Sequence, residues 1–331
     1  MLLSCDDWLS ILQPHLREPL FSPGALEPLR RLACLLPGDC LGILEARLGQ
    51  VPGPIDLSLR IKEPPQALAL AERIPLPHLR SLLARWSRAD ESLSAVHSLW
   101  LEFDLDPERD PLHPVACAKL RAEAAPRWVI DALLPALHGK PLSEGQRQRL
   151  LFCTEAIPEG GALLYVFSLL SRGGDAVRME IFGLDPGHIL GYLAVVAPAT
   201  VPRVETIAPL FEGVERIHLS FDIGEEILPR IGIEGSFSRI PRREPRWAEL
   251  FARLQAHGLC TPEQRDAALA WTGYDTFWTS PARWPVRTAG LRGVCVRSLS
   301  HVKVVCPQDG APQAKVYLAF GPLEATGPQI R

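Results

Sequence analysis

The chain has 331 residues, 47% of them hydrophobic, with 35 Lys and Arg against 38 Asp and Glu for a formal net charge of -3. Such a chain can fill a substantial core and is globular, with the length of one large or two ordinary domains. It has no concentrated positive field, which excludes whole-molecule attraction to nucleic acid or to an anionic membrane and makes any anion site a local one.

Residues 1–50 read as helical, with Trp8, Leu9, Leu12 and Leu16 at helical spacing behind Asp6 or Asp7 as a cap. A second helix is expected over Leu26 to Leu48, interrupted at Pro37-Gly38. Strict alternation then begins: Ile55, Leu57, Leu59 and Ile61 stand against Asp56, Ser58, Arg60 and Lys62. Helical material follows Pro64-Pro65 to about Arg88. In the next alternating pair, Leu99, Leu101, Phe103 and Leu105 oppose Ser98, Trp100, Glu102 and Asp104, and the return strand near 114–120 comes after a proline-rich loop at 106–111. Helix is expected from about Arg127 to Phe152.

A third pair runs through Tyr165 and Phe167, turns at Arg172-Gly173-Gly174-Asp175, and returns through Val177, Met179 and Ile181 against Arg178 and Glu180. Asp185-Pro186 opens a helix to about Val196. The fourth pair sets Ile217, Leu219, Phe221 and Ile223 against Arg216, His218, Ser220 and Asp222, then Ile231 and Ile233 against Arg230 and Glu234. Glu244-Pro245 starts a helix ended by Gly258, and Thr261-Pro262-Glu263 starts another. The aromatic, proline-interrupted segment 272–290 reads as a lid or a connector. The last hairpin offers His301 and Lys303, breaks at Pro307-Gln308-Asp309-Gly310, and returns with Lys315 and Tyr317 against Val316, Leu318 and Phe320.

Alternation with a period of two marks strands that have one face in a core and one in a polar space. Helix and hairpin repeat about five times, so one repeat-built domain is expected over 1–331, with a helical start at 1–50 and helix-hairpin units over 51–331. The fold class is α/β. Two arrangements bury the apolar strand faces against the helices: an open sheet whose charged face is solvated, and a closed ring of about ten strands with helices outside. Closure removes the exposed edges and brings the charged faces into one lumen.

Repeated helix and antiparallel hairpin units around a polar barrel resemble the ABBA-type aromatic prenyltransferases. The residues that carry the resemblance are Lys315-Val316-Tyr317, a basic-x-Tyr spacing, and Glu102 within Trp100-Leu101-Glu102-Phe103-Asp104. It implies a barrel whose lumen binds a prenyl diphosphate, or another organic anion, and an aromatic or peptide acceptor. Arg60, Arg178, Arg230, Lys303 and Lys315 are then the candidate diphosphate contacts, and Glu102 the acid that holds the acceptor and takes its proton. Trp100 or Tyr165 would help shield a carbocation. The resemblance implies no sequence-visible cofactor, with magnesium dispensable. Arg178-Met179-Glu180 and Arg230-Ile231-Gly232-Ile233-Glu234 depart from the family by placing Glu where Tyr is usual.

Opposite charges on one strand face, such as Arg178 with Glu180 and Arg230 with Glu234, are equally explained by cross-strand ion pairs. His218, Asp222, Glu234 and Glu102 are a possible carboxylate and imidazole set for a divalent ion, but their spacing specifies none. His218 or His301, oriented by Asp222, is a candidate base. No G-x-S-x-G elbow, P-loop or dinucleotide fingerprint occurs. The eight cysteines form no C-x-x-C pair or zinc-finger spacing and read as reduced, mostly buried thiols. With no basic segment before an apolar run at the start, and no apolar stretch near the roughly 20 residues that cross a bilayer, a cytoplasmic protein without a membrane span is expected. The reading from another class is a non-catalytic protein that binds a ligand or peptide within a biosynthetic pathway.

Overall fold

A computed structural model describes residues 4–49, 54–105, 112–279, 281–284 and 293–323. Eleven strands are described: β1 (Leu41–Arg47), β2 (Asp56–Ile61), β3 (Val96–Phe103), β4 (Val115–Leu120), β5 (Ala162–Ser168), β6 (Val177–Phe182), β7 (Arg216–Ile223), β8 (Ile227–Ser236), β9 (Gly273–Thr276), β10 (Val294–Cys306) and β11 (Gln313–Pro322). Ten of them close a ring in the order β1 to β8, β10, β11 and back to β1, every pairing antiparallel. β9 stands outside that ring and pairs only with the start of β10.

Alternation sorts the side chains as the pattern requires. Leu57, Leu59, Leu99, Leu101, Met179, Ile181, Leu219, Ile233, Val304 and Leu318 point outward into an apolar layer shared with the helices. The core is thus an annulus between barrel and helices, and the opposite strand faces are left to line the lumen. Helix starts follow local chemistry: Ser143 and Thr261 form capping boxes with Gln146 and Gln264. Among the described residues no helix is long and apolar enough to cross a membrane.

Four expectations need correction. The second helix ends at Ala33, and residues 41–47 form β1, not the end of a helix. β1 hides its period because its inward residues Leu41 and Ile43 are apolar like its outward ones, and because it contains Gly42. That glycine is required: a Cβ there would collide with the Phe320 ring on β11. The helix expected from Arg127 to Phe152 is two, since Gly139 takes the left-handed conformation (φ 75°) and stops the first at His138 before Ser143 caps the next. Neither Asp6 nor Asp7 is the first cap; Ser4 is, with Asp7 answering as its capping-box partner. Within 272–290, residues 273–276 are strand β9, while 280 and 285–292 lie outside the described residues, as does the loop at 106–111.

Candidate active site in the barrel lumen

Ten strands enclose more space than side chains fill, and a cavity of about 780 Å³ runs through the ring. All eleven residues singled out in the sequence line it: Arg60, Trp100, Glu102, Arg178, His218, Asp222, Arg230, Glu234, Lys303, Lys315 and Tyr317. Nine Lys and Arg and seven Asp and Glu contribute to the lining, so the lumen itself leans cationic although the chain does not.

The first rim lies where β1, β3, β5 and β7 begin. Arg60 on β2, His97 on β3, Lys119 on β4 and Arg216 on β7 line it, with Glu180 two strands from Lys119 in the same register row. Lys119 stands opposite Ser98 and Tyr165 in the register, its ammonium 5.6 Å from the Tyr165 ring centre. No carboxylate lies within 4 Å of Lys119 among the described residues, and Arg216 touches only Glu215, at 3.8 Å. Burial and the neighbouring Arg60 push the Lys119 pKa down; burial and then Lys119 do the same to His97. Both shifts come first from burial and second from neighbouring positive charge, with Glu180 opposing that at Lys119.

A middle band is polar and internally matched. His218 Nδ1 meets Glu180, and Lys303 Nζ lies 2.5 Å from Glu234 Oε1 after its stem crosses Gly232, where a Cβ would stand 2.7 Å from Lys303 Cε. His301 is 3.5 Å from Glu234 and stacks on Tyr317, with ring centres 3.9 Å apart. Burial opposes the ionised form of Glu234, yet Lys303, His301 and His218 together hold its pKa down at about 2. Burial lowers and Glu180 more than restores the pKa of His218, which ends above its ordinary value. Beside this band Trp100 joins two apolar patches, Leu41, Ile43 and Ala319 on one side and Val115, Cys117, Phe167 and Leu169 on the other.

At the second rim, cations and carboxylates close on each other. Arg172, carried by the turn after β5, grips Asp104 through two bonds of 2.8 Å and approaches Glu102 at 3.4 Å. Arg178 binds Asp222 at 2.6 and 3.1 Å across β6 and β7, and Lys315 bonds Glu45. Asp222 is held below its usual range because Arg178 overcomes the burial penalty. Burial raises Glu102 against the pull of Arg172 and Arg178. Arg230, with no carboxylate within 4 Å among the described residues, has its pKa lowered by burial and then by Arg178.

Asp222 does not orient His218 or His301. The β6–β7 register sets Asp222 opposite Arg178, while the histidines meet Glu180 and Glu234. The carboxylate and imidazole set is also different: Glu180, His218 and Glu234 bring ligand atoms within 4.8 Å of one another, without Glu102 or Asp222. A divalent ion there would have to displace the Lys303 ammonium from Glu234, so the donors are already served by a cation of the chain. Several charged lining residues are not among the eleven, including Glu45, Asp56, Lys119 and Arg172. Glu45 lies in β1, which the pattern hides, Arg172 in a turn, Asp56 at a polar position of an alternating strand, and Lys119 within the return strand expected near 114–120. Lys119 carried a usable signal, being one of only five Lys in the chain.

A closed ten-stranded antiparallel α/β barrel with helices outside and a polar lumen is the fold of the ABBA-type aromatic prenyltransferases. Among solved structures, the chain is similar to a 6-dimethylallyl tryptophan synthase, at 17% identity over 96% of each chain and a TM-score of 0.55. It is also similar to AnaPT from Neosartorya fischeri (9% identity, 95% of this chain and 91% of that one, TM-score 0.53) and to the apo form of the prenyltransferase PriB (15%, 95% and 94%, 0.51). At such identities the likeness concerns the fold. No protein-family model and no curated protein matches the sequence.

Proposed function

We propose that the chain is a prenyltransferase that binds an allylic diphosphate in the lumen and moves its prenyl group to an aromatic acceptor. The observation that carries this reading is Lys119 at the first rim, which lines the lumen beside Arg60 and Arg216 with no carboxylate within 4 Å of its ammonium among the described residues. A largely buried ammonium without a close carboxylate, set beside two guanidinium groups, is costly unless a ligand supplies the charge. A diphosphate does so, and the lumen volume lies within the range of small-molecule sites. Among the similar structures, PriB was solved as a binary complex with product diphosphate (15% identity, 98% and 96% coverage, TM-score 0.50).

In this reading the allylic C–O bond breaks and its electron pair leaves with the diphosphate, whose growing charge is met by Arg60, Lys119 and Arg216. The allylic cation lies against the faces of Trp100 and Tyr165. The acceptor carbon bonds to it and gives up its proton to Glu102, a carboxylate whose pKa burial raises and so makes a stronger base. Arg178, Lys303 and Lys315 serve chiefly to hold Asp222, Glu234 and Glu45 in place, and Arg230 adds long-range positive charge. Lys303 and His218 hold the middle band together, and Tyr317 stacks on His301 there. At Glu234 the Lys303 ammonium supplies the cation that the Glu180, His218 and Glu234 set would otherwise take from a metal ion.

The test is a panel of allylic diphosphates against aromatic acceptors, with product detected by mass. Product from the parent, with turnover depressed by Glu102→Gln while donor affinity stays near the parent value, supports the reading. Donor binding without product from any acceptor favours a ligand-binding protein without catalysis. Neither binding nor product removes the reading.

A further inference from the structure

Asp56 opens β2 and lines the second rim, directly opposite Glu45 in the β1–β2 register. Its hydrogen bond comes from the Leu105 N–H at 3.1 Å. Three carboxylates meet at this point, and two are taken: Glu45 by Lys315, and Asp104 by both ends of the Arg172 fork. Asp56 alone has no cation within 4 Å among the described residues. The groups around it are Glu45 and Arg47 from β1, Lys315 and Tyr317 from β11, Glu102 and Asp104 from β3 and its end, and Arg172 from the turn after β5.

A largely buried carboxylate without a counter-ion either keeps a proton or waits for a cation. Burial, then repulsion from Glu45 and Asp104, outweighs Lys315 and raises the Asp56 pKa to about 7. This is the reverse of the first rim, where positive charge lacks an anion.

We infer that the acceptor carries a cationic nitrogen, an ammonium or a guanidinium, which docks on Asp56 while the donor's diphosphate lies at the opposite rim. This rests on the proposed transferase reading and narrows its acceptors to aromatic compounds that also carry an amine or guanidine, over neutral phenols and indoles. The bound cation must meet the ionised carboxylate, so binding below pH 7 releases a proton. Apparent affinity then falls as pH drops below 7 and levels off above it, by about ten-fold between pH 8 and pH 6.

Calorimetric titration of the full chain with tryptamine, agmatine and the uncharged 3-methylindole tests this at pH 6 and pH 8, with inorganic pyrophosphate as a probe of the other rim. At least one cation should bind more tightly than 3-methylindole and gain about ten-fold from pH 6 to pH 8. Asp56→Asn should remove both the preference and the pH response while pyrophosphate binding persists. The inference is overturned if neither cation exceeds 3-methylindole, or if the pH response survives in Asp56→Asn. Loss of pyrophosphate binding in the parent would instead strike the transferase reading itself, so the two failures are distinguishable.

Discussion

The two rims of the lumen use the same residue types to opposite ends. At the second rim Arg172, Arg178 and Lys315 each close on a carboxylate, and their charge is spent on holding neighbouring strands. At the first rim Lys119 faces the lumen beside Arg60 and Arg216, with no carboxylate within 4 Å of its ammonium among the described residues. A count of basic residues misses the difference, because both rims carry three or more. What separates structural charge from charge kept for a ligand is whether the fold supplies the counter-ion within reach, and among the described lining residues Lys119, Asp56 and Arg230 are positions where it does not.

The largest effect should come from breaking a matched pair. Asp222→Ala leaves Arg178 buried and unpaired, and should cost about 3–5 kcal/mol of stability in urea unfolding. A loss below about 1 kcal/mol would mean that the second-rim pairs are not structural. Next in size is donor affinity. Lys119→Ala removes a charge-assisted contact worth roughly 1.5–3 kcal/mol, so pyrophosphate should bind about ten-fold to a hundred-fold more weakly. Lys315→Ala should weaken it less, since Lys315 is already bonded to Glu45. Equal losses from the two variants would erase the distinction between the rims.

The smallest effect is on stability against pH. The folded-state pKa of Asp56 is raised, so the native state holds its proton more tightly than the unfolded chain does. Stability conferred by that proton is full below about pH 4 and is lost as pH rises through about 7. Asp56→Asn, neutral at every pH, should therefore raise the melting temperature at pH 8 by a few degrees and leave it near the parent value at pH 4. A melting temperature that falls at pH 8 would show that Asp56 is compensated after all.

Much of the architecture was legible from alternation alone. Leu57 to Ile61, Leu99 to Phe103, Ile217 to Ile223 and the Lys315 hairpin all present the faces that the period predicts. β1 was not legible, because Leu41 and Ile43 line the lumen as apolar residues and Gly42 yields space to Phe320, a contact between residues far apart in the chain. The candidate site was legible in membership and not in wiring. Register decides that Arg178 meets Asp222, that His218 meets Glu180 and that Lys303 reaches Glu234, and register is a property of strand pairs that a single strand's composition does not contain. Lys119 and Asp56 escaped notice for the same reason: a charge without a partner is recognisable only once every partner is placed.

The most direct test of the account is a crystal structure with a non-hydrolysable allylic thiolodiphosphate. The account predicts the diphosphate oxygens within hydrogen-bond distance of Lys119 and of Arg60 or Arg216, with the Arg178–Asp222 and Lys315–Glu45 pairs intact. A diphosphate seated on Arg178, Arg230 or Lys315 at the second rim, with those pairs broken, would contradict it.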